Sequence, residues 1–126
     1  MVKVTEEFIS PQLLLDNLGT DSSGSVVIHL GIVRPDSEGR KVVSIEYDAD
    51  INAAERELLH IANEIRSKWE VQDIALYRRK GQLNLGDVIL IAAVAAPHRK
   101  EAFEACDQAV ERMRSMTSIR KREIVE

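Results

Sequence analysis

The sequence predicts a mixed α+β fold, and three observations carry that prediction. Apolar residues recur at helical spacing in two long segments, residues 51–65 and 103–113. Val- and Ile-rich runs of strand length lie between and around them. Clusters of Pro, Gly, Ser and Asp punctuate the joins. Read in order, the elements are helix, two strands, helix, two strands, helix, strand, an order that suits a mixed sheet with packed helices.

The first helix is signalled by Ser10 as N-cap and Pro11 at the first helical position. Leu14, Leu15 and Leu18 would face inward, with Gly19 as the stop. Residues 20–24 read as polar loop. Residues 25–30 form a strand, continued by Gly31-Ile32-Val33-Arg34 into the breaker-rich stretch 35–40. Residues 41–47 form the next strand, and pairing with residues 25–33 is the simplest topology. Asp50 caps a long helix whose inner stripe is Ile51, Ala54, Leu58, Ile61, Ala62 and Ile65, ending near Trp69. Glu55, Arg56, Glu64 and Lys68 take its opposite side. A strand follows at 71–77, then a polar stretch at 78–86 with two glycines. Val88–Ala96 is almost continuously apolar, which fits a buried strand and not an exposed edge. Pro97-His98 opens the last helix, with Phe103, Cys106, Ala109, Val110 and Met113 as its core stripe. Residues 119–125 read as a short final strand.

A chain of 126 residues suits a single domain over 1–126, and 44% apolar residues can build a core without staples. The net charge of -4, from 17 basic and 21 acidic side chains, argues against general nucleic-acid affinity. So does the scarcity of aromatics: two Phe, two Tyr and one Trp, with no Gly-aromatic motif. The longest apolar run is too short to span a bilayer and ends in His98-Arg99-Lys100. No apolar run follows the N-terminal residues, so no signal peptide is expected. Cys106 is the only cysteine, which leaves no internal disulfide or zinc cluster and fits a cytoplasmic setting. Lying in a core stripe, it reads as a buried, inert thiol.

No nucleotide-binding, zinc-protease or paired-cysteine motif is present. His29, His60 and His98 show no metal-ligand spacing, and His29 and His60 read as structural or surface residues. Asp48 and Asp50 read as capping groups. His98-Arg99 stands apart because an apolar strand delivers both residues to the mouth of a helix, where free N–H groups and the dipole favour an anion. The histidine can move a proton and the arginine can hold a phosphate or carboxylate. A helix cap beside a solvated arginine is the plainer reading of the same pair. Arg34, at a strand end before a Pro/Gly loop, is either a binding residue or an ordinary surface arginine. Residues 112–122 hold five basic side chains and no acidic one. Within that run Arg114 is placed to reach a cleft while its stem packs, and Lys121 supplies a primary amine; a solvated basic face is the alternative.

Several segments together resemble the large, catalytic subunit of molybdopterin synthase, the MoaE family. They are Gly31-Ile32-Val33-Arg34, the stretch Arg79-Lys80-Gly81-Gln82-Leu83-Asn84-Leu85-Gly86-Asp87, the run from Pro97-His98-Arg99 through Ala102-Phe103 to Ala105, and Arg114 followed by Ile119-Arg120-Lys121-Arg122-Glu123. The resemblance implies an α/β-hammerhead-containing α+β fold and a central homodimer. A small ubiquitin-like sulfur-carrier subunit would sit at each end of a heterotetramer. It implies sulfur transfer from the carrier's Gly-Gly C-terminal thiocarboxylate to cyclic pyranopterin monophosphate (precursor Z), forming molybdopterin, with no metal or cofactor held by this subunit. By the same resemblance Arg34, His98 and Arg99 hold the pterin phosphate and the carrier tail, His98 assists proton transfer, and Lys121 stabilises charge near the thiocarboxylate. Arg114 stands where the family has its essential lysine, Arg120 where an aromatic residue is usual, and Arg78 where a histidine is usual. Two other readings of the chain are a non-catalytic paralogue that binds a carrier tail and a small anion-binding dimer.

Overall fold

The computed structural model describes all residues except Glu38 and Glu126, and all side chains but those of Asp36, Ser37, Arg40 and Val125 among the rest. The elements run β1 (Val2–Thr5), α1 (Pro11–Asn17), β2 (Ser25–Ile32), β3 (Asp36–Ser37), β4 (Arg40–Ala49), α2 (Ile51–Lys68), β5 (Asp73–Arg79), β6 (Gly81–Asn84), β7 (Val88–Ala96), α3 (Arg99–Arg114) and β8 (Ile119–Val125). The predicted mixed α+β class is what the chain adopts. No helix among the described residues is long and apolar enough to cross a membrane.

Two sheets organise the chain. The first has the order β1-β5-β7-β2, with β1 parallel to β5 and the other pairs antiparallel. The second is built on β4, which pairs with β3, β6 and β8. β7 lies inside the first sheet and is covered on both faces. Leu90, Ala92 and Val94 pack with α2 and α3, while Ile91, Ala93 and Ala95 pack with Leu14 and Leu18 around α1. Period-two alternation onto two buried faces leaves no polar position, which is why this strand reads as one apolar run. A third cluster, Val33, Val42, Ile45, Tyr47 and Leu83, fills the second sheet.

The helix ends follow local chemistry. The Ser10 side chain accepts from Leu13 N and that of Asp50 from Ala53 N, each satisfying an orphan donor of its first turn. The α2 stripe Ala54, Leu58, Ile61, Ala62 and Ile65 is buried as predicted, although Ile51 is 41% exposed. Gly19 is not the helix stop, because α1 ends at Asn17 with Leu18 extended as its C-cap. In α3 the buried stripe is Ala102, Ala105, Cys106, Ala109 and Met113. Phe103 falls one position off that stripe and is 61% exposed, against expectation. Cys106 is buried as expected. Its thiol lies 3.6 Å from the Ala92 carbonyl oxygen, and burial pushes its pKa up to about 11.

The expected pairing of β2 with β4 is not formed. β2 pairs instead with β7, from Ser25 opposite Ala96 to Ile32 opposite Val88. The physical reason is that a strand buried on both faces needs neighbours on both edges, and β5 alone fills only one. β4 therefore leaves for the second sheet. The stretch 78–86, expected to be irregular, holds the end of β5 and all of β6, joined by a tight turn at Gly81 with φ 90°. The short strands β1 and β3 were not foreseen.

Candidate active site

A cleft of about 410 Å³ opens where the far end of β2, the start of β7, the end of α3 and strand β8 converge on β4. Arg34, Arg114 and Lys121 all line it. Arg34 lies two residues beyond β2, Arg114 is the last residue of α3, and Lys121 is the third residue of β8. Alternation along β8 sorts the basic tail. Ile119, Lys121 and Glu123 face the cleft, whereas Arg120 and Arg122 point away to Asp48 (3.5 Å) and Glu46 (3.3 Å). Arg112 pairs with Glu64 of α2 at 2.7 Å. Of the five basic residues in 112–122, Arg114 alone forms no ion pair among the described residues.

Four further residues with polar side chains line the cleft that sequence reasoning did not assign to a site: His29, Tyr47, Arg78 and Glu123. His29 reads from sequence as a structural or surface residue, yet it is exposed on the cleft wall. Glu123 places its carboxylate 3.8 Å from Lys121 Nζ. Arg78 is 5% exposed, and its Nη1 donates to the Met113 carbonyl oxygen at 2.5 Å. Its guanidinium carbon lies 4.8 Å from the centre of the Tyr47 ring, within cation–π range. Burial lowers the Arg78 pKa, with Tyr47 and Glu57 acting against that fall; burial also raises the Tyr47 phenol, which the Arg78 charge opposes. The phenol is therefore neutral and able to donate at ordinary pH. The signal for Arg78 was present in the chain, since Ile74, Leu76 and Arg78 share one face of β5 and a core row ends in a cation.

His98 and Arg99 are exposed at the other end of the molecule. β7 enters the cleft at Ile89 and Leu90 and leaves its sheet at Ala96, so His98 is eight residues of chain from Leu90, roughly 26 Å if extended. Within one copy they do not join Arg34, Arg114 and Lys121. His98 is the N-cap of α3 but makes no side-chain cap, which leaves the first-turn donors of that helix without a side-chain partner from it.

The turn that carries α3 into β8 is held by Glu57 of α2. Its carboxylate accepts from Thr117 N (3.1 Å), Ser118 N (3.0 Å) and the Ser118 hydroxyl. Burial alone would raise the Glu57 pKa, but these hydrogen bonds, with the Arg112 charge, hold it below the usual glutamate value. A carboxyl with a depressed folded-state pKa adds stability above its unfolded value, and that contribution is lost as pH falls through the folded value. Stability is thus expected to decline partly through Glu57 as pH falls below the ordinary carboxylate range. Denaturant unfolding at pH 6 and pH 3 checks this, because Glu57→Gln should narrow the difference between the two.

Among the described residues no group of three or more His, Cys, Asp or Glu could hold a metal ion. Among the described residues the arrangement is a cationic cleft with one carboxylate, suited to organising anionic reactants. Residues 4–116 match the family model described as MoaE protein. The molybdopterin synthase catalytic subunit of Bacillus subtilis is 33% identical over 124 residues, 98% of this chain and 79% of that protein. A crystal structure of molybdopterin synthase from Staphylococcus aureus superposes with a TM-score of 0.91 at 34% identity, covering 98% of this chain and 90% of that one. A complex of subunits 1 and 2 of molybdopterin-converting factor from Helicobacter pylori shares the fold at TM-score 0.73 and 15% identity, covering 99% of this chain and 85% of that chain.

Proposed function

The chain belongs to the MoaE family, and on that premise we propose that it is the catalytic subunit of a molybdopterin synthase. It transfers sulfur from the C-terminal thiocarboxylate of a small ubiquitin-like carrier to cyclic pyranopterin monophosphate. The observation that carries this reading is the gathering of Arg34, Arg114 and Lys121, far apart in the chain, around one cleft. The reaction must bring together a phosphate, a thiocarboxylate and an electron-rich pterin. Fixed cations offset that repulsion and aim the sulfur at the pterin side chain. The thiocarboxylate sulfur attacks a side-chain carbon of the pterin and displaces the oxygen there, water then hydrolyses the acyl–sulfur bond and frees the carrier as its carboxylate, and a second loaded carrier repeats the transfer to complete the dithiolene.

His98 and Arg99 enter this scheme from a second copy. β2 is the edge of its sheet, and Val26, Leu30 and Ile32 on one of its faces are 42%, 37% and 48% exposed. Pairing two such edges about a two-fold axis runs the strands antiparallel. The Arg34 end of one copy then meets the end next to Pro97 and His98 of the other, since Ser25 pairs with Ala96. A homodimer would so complete each cleft with a histidine and an arginine at a helix N-terminus, which suits the substrate phosphate. The carrier's extended Gly-Gly tail would enter from the opposite side of the cleft, giving a heterotetramer. The chemistry is that of the cytoplasm.

Reconstitution with a thiocarboxylated carrier and precursor Z tests the reading, with molybdopterin as the expected product. Tight carrier binding without product would instead identify a non-catalytic paralogue, the reading that Arg114 at the family's lysine position favours. Arg99→Ala is expected to weaken substrate binding by about tenfold or more through loss of a charge-assisted phosphate contact. Equilibrium titration with the pterin phosphate measures it, and an unchanged affinity removes Arg99 from the phosphate site.

A further inference from the structure

Arg78 is buried in a manner that its protein neighbours do not account for. It ends a row, Ile74, Leu76 and Arg78, whose first two members are wholly buried core residues. Nη1 donates to Met113 O, a carbonyl in the last turn of α3, and the guanidinium stacks on Tyr47. Its Nε is buried and has no hydrogen-bond partner. No carboxylate forms an ion pair with it among the described residues, and the Glu57 charge and the Tyr47 hydroxyl only partly offset the effect of its burial. Buried cations are ordinarily paired with an anion, because a neutral carbonyl dipole and a ring face replace only part of the lost hydration.

The missing counter-charge has a place to sit. Arg78 lines the cleft together with Arg34, Arg114 and Lys121, and the one carboxylate in that lining among the described residues, Glu123, lies beside Lys121. An anion seated there would interact with Arg78 through a low-dielectric floor, where a charge acts more strongly than in water. We propose that Arg78 is a further ligand-holding residue of the cleft, which it serves as a fixed cation for a bound oxyanion. The oxyanion is either the phosphate of a small substrate or the terminal carboxylate of an inserted peptide. This inference rests on the cleft being the reaction site proposed above, but its test does not depend on sulfur transfer. The role is distinct from capping α3, which needs only the bond to Met113.

The experiment titrates the full-length protein separately with inorganic phosphate and with a short peptide ending in Gly-Gly. Arg78→Met keeps the stem and removes the charge, while Arg78→Lys keeps a charge without the fork. Arg78→Met is expected to weaken binding of at least one of the two probes by about tenfold, with Arg78→Lys restoring most of it. The probe affected identifies the source of the oxyanion. In turnover assays KM should rise by more than kcat falls. Should Arg78→Met not fold, the wild-type protein supplies the same answer through its Arg78 Nε–H resonance, expected to shift on addition of the effective probe. Unchanged affinity for both probes in the folded variants, or an unmoved Nε–H resonance at saturation, overturns the proposal and leaves Arg78 as a helix cap. A wild-type protein that binds phosphate through Arg78 yet makes no product would instead overturn the sulfur-transfer reading alone.

Discussion

Lys121→Ala is expected to slow single-turnover sulfur transfer by about 10²–10³-fold, the usual cost of removing one preorganised group that stabilises transition-state charge. Binding of carrier and substrate should change far less, because Arg34, Arg78 and Arg114 remain on the cleft wall. The case for Lys121 begins with register. β8 runs antiparallel to β4 with Lys121 opposite Tyr47, so its side chain shares a face with Ile119 and Glu123 and opens on the cleft. Lys121 is the only lysine among the described cleft-lining residues, the other basic residues there being arginines and His29. An arginine holds its proton at any ordinary pH, so Arg114 can offer charge but not a movable proton. Glu123, at 3.8 Å, keeps the ammonium oriented without burying it, since the Lys121 side chain is half exposed. Lys121→Arg separates the two roles. A rate near wild type would mean that charge alone suffices, and a rate near that of Lys121→Ala would mean that the amine itself is used. Full activity in Lys121→Ala would falsify the assignment.

The same cleft shows which parts of the site the chain discloses on reading. Arg34, Arg114 and Lys121 are candidates by residue type and position, at a strand end, a helix end and within a basic tail, where a solvated surface is the plainer reading, and it is the family resemblance that singles them out. Which tail cations face inward is also legible, once residues 119–125 are taken as a strand and alternation is applied. Arg78 is harder, because its stretch looks polar and loop-like until β5 is extended to Arg79 and the row from Ile74 is followed. His98-Arg99 is conspicuous as a motif, but its distance from the cleft depends on β7 running the length of the sheet. Local signals therefore located elements well, as Ser10, Asp50 and the apolar β7 show. Partner choice between strands is a non-local energy, and sequence adjacency was a poor guide to it for β2 and β4. Phe103 illustrates a smaller limit: one residue is 100° of helix, enough to turn an apolar side chain from the core to solvent.

The largest loss of stability from a single truncation is expected at Leu58→Ala, about 3–5 kcal/mol, set against about 0.5 kcal/mol or less for Leu59→Ala. The two leucines are neighbours on α2 and have the same helix propensity, so the comparison isolates burial. Leu58 is 0% exposed and sits with Ala54, Ile61, Ala62 and Ile65 against β5, β7 and α3. Leu59 is 52% exposed. Removing three buried carbons from Leu58 loses their transfer free energy and opens a cavity that packed neighbours from three elements cannot all move to fill. For a chain of this length the loss amounts to a fall in Tm of roughly 10–20 °C. Against a total stability of about 5–15 kcal/mol, it leaves a folded but fragile protein. The consequence reaches the cleft, because α2 also carries Glu57, whose carboxylate fixes Thr117 and Ser118 just before Lys121. Leu58→Ala should therefore lose activity on warming well before wild type while retaining it at low temperature. Leu59→Ala should track wild type in both urea unfolding and heat inactivation. Equal midpoints for the two variants would mean that α2 does not pack on the sheet through the Leu58 face, and the placement of Glu57 would fall with it.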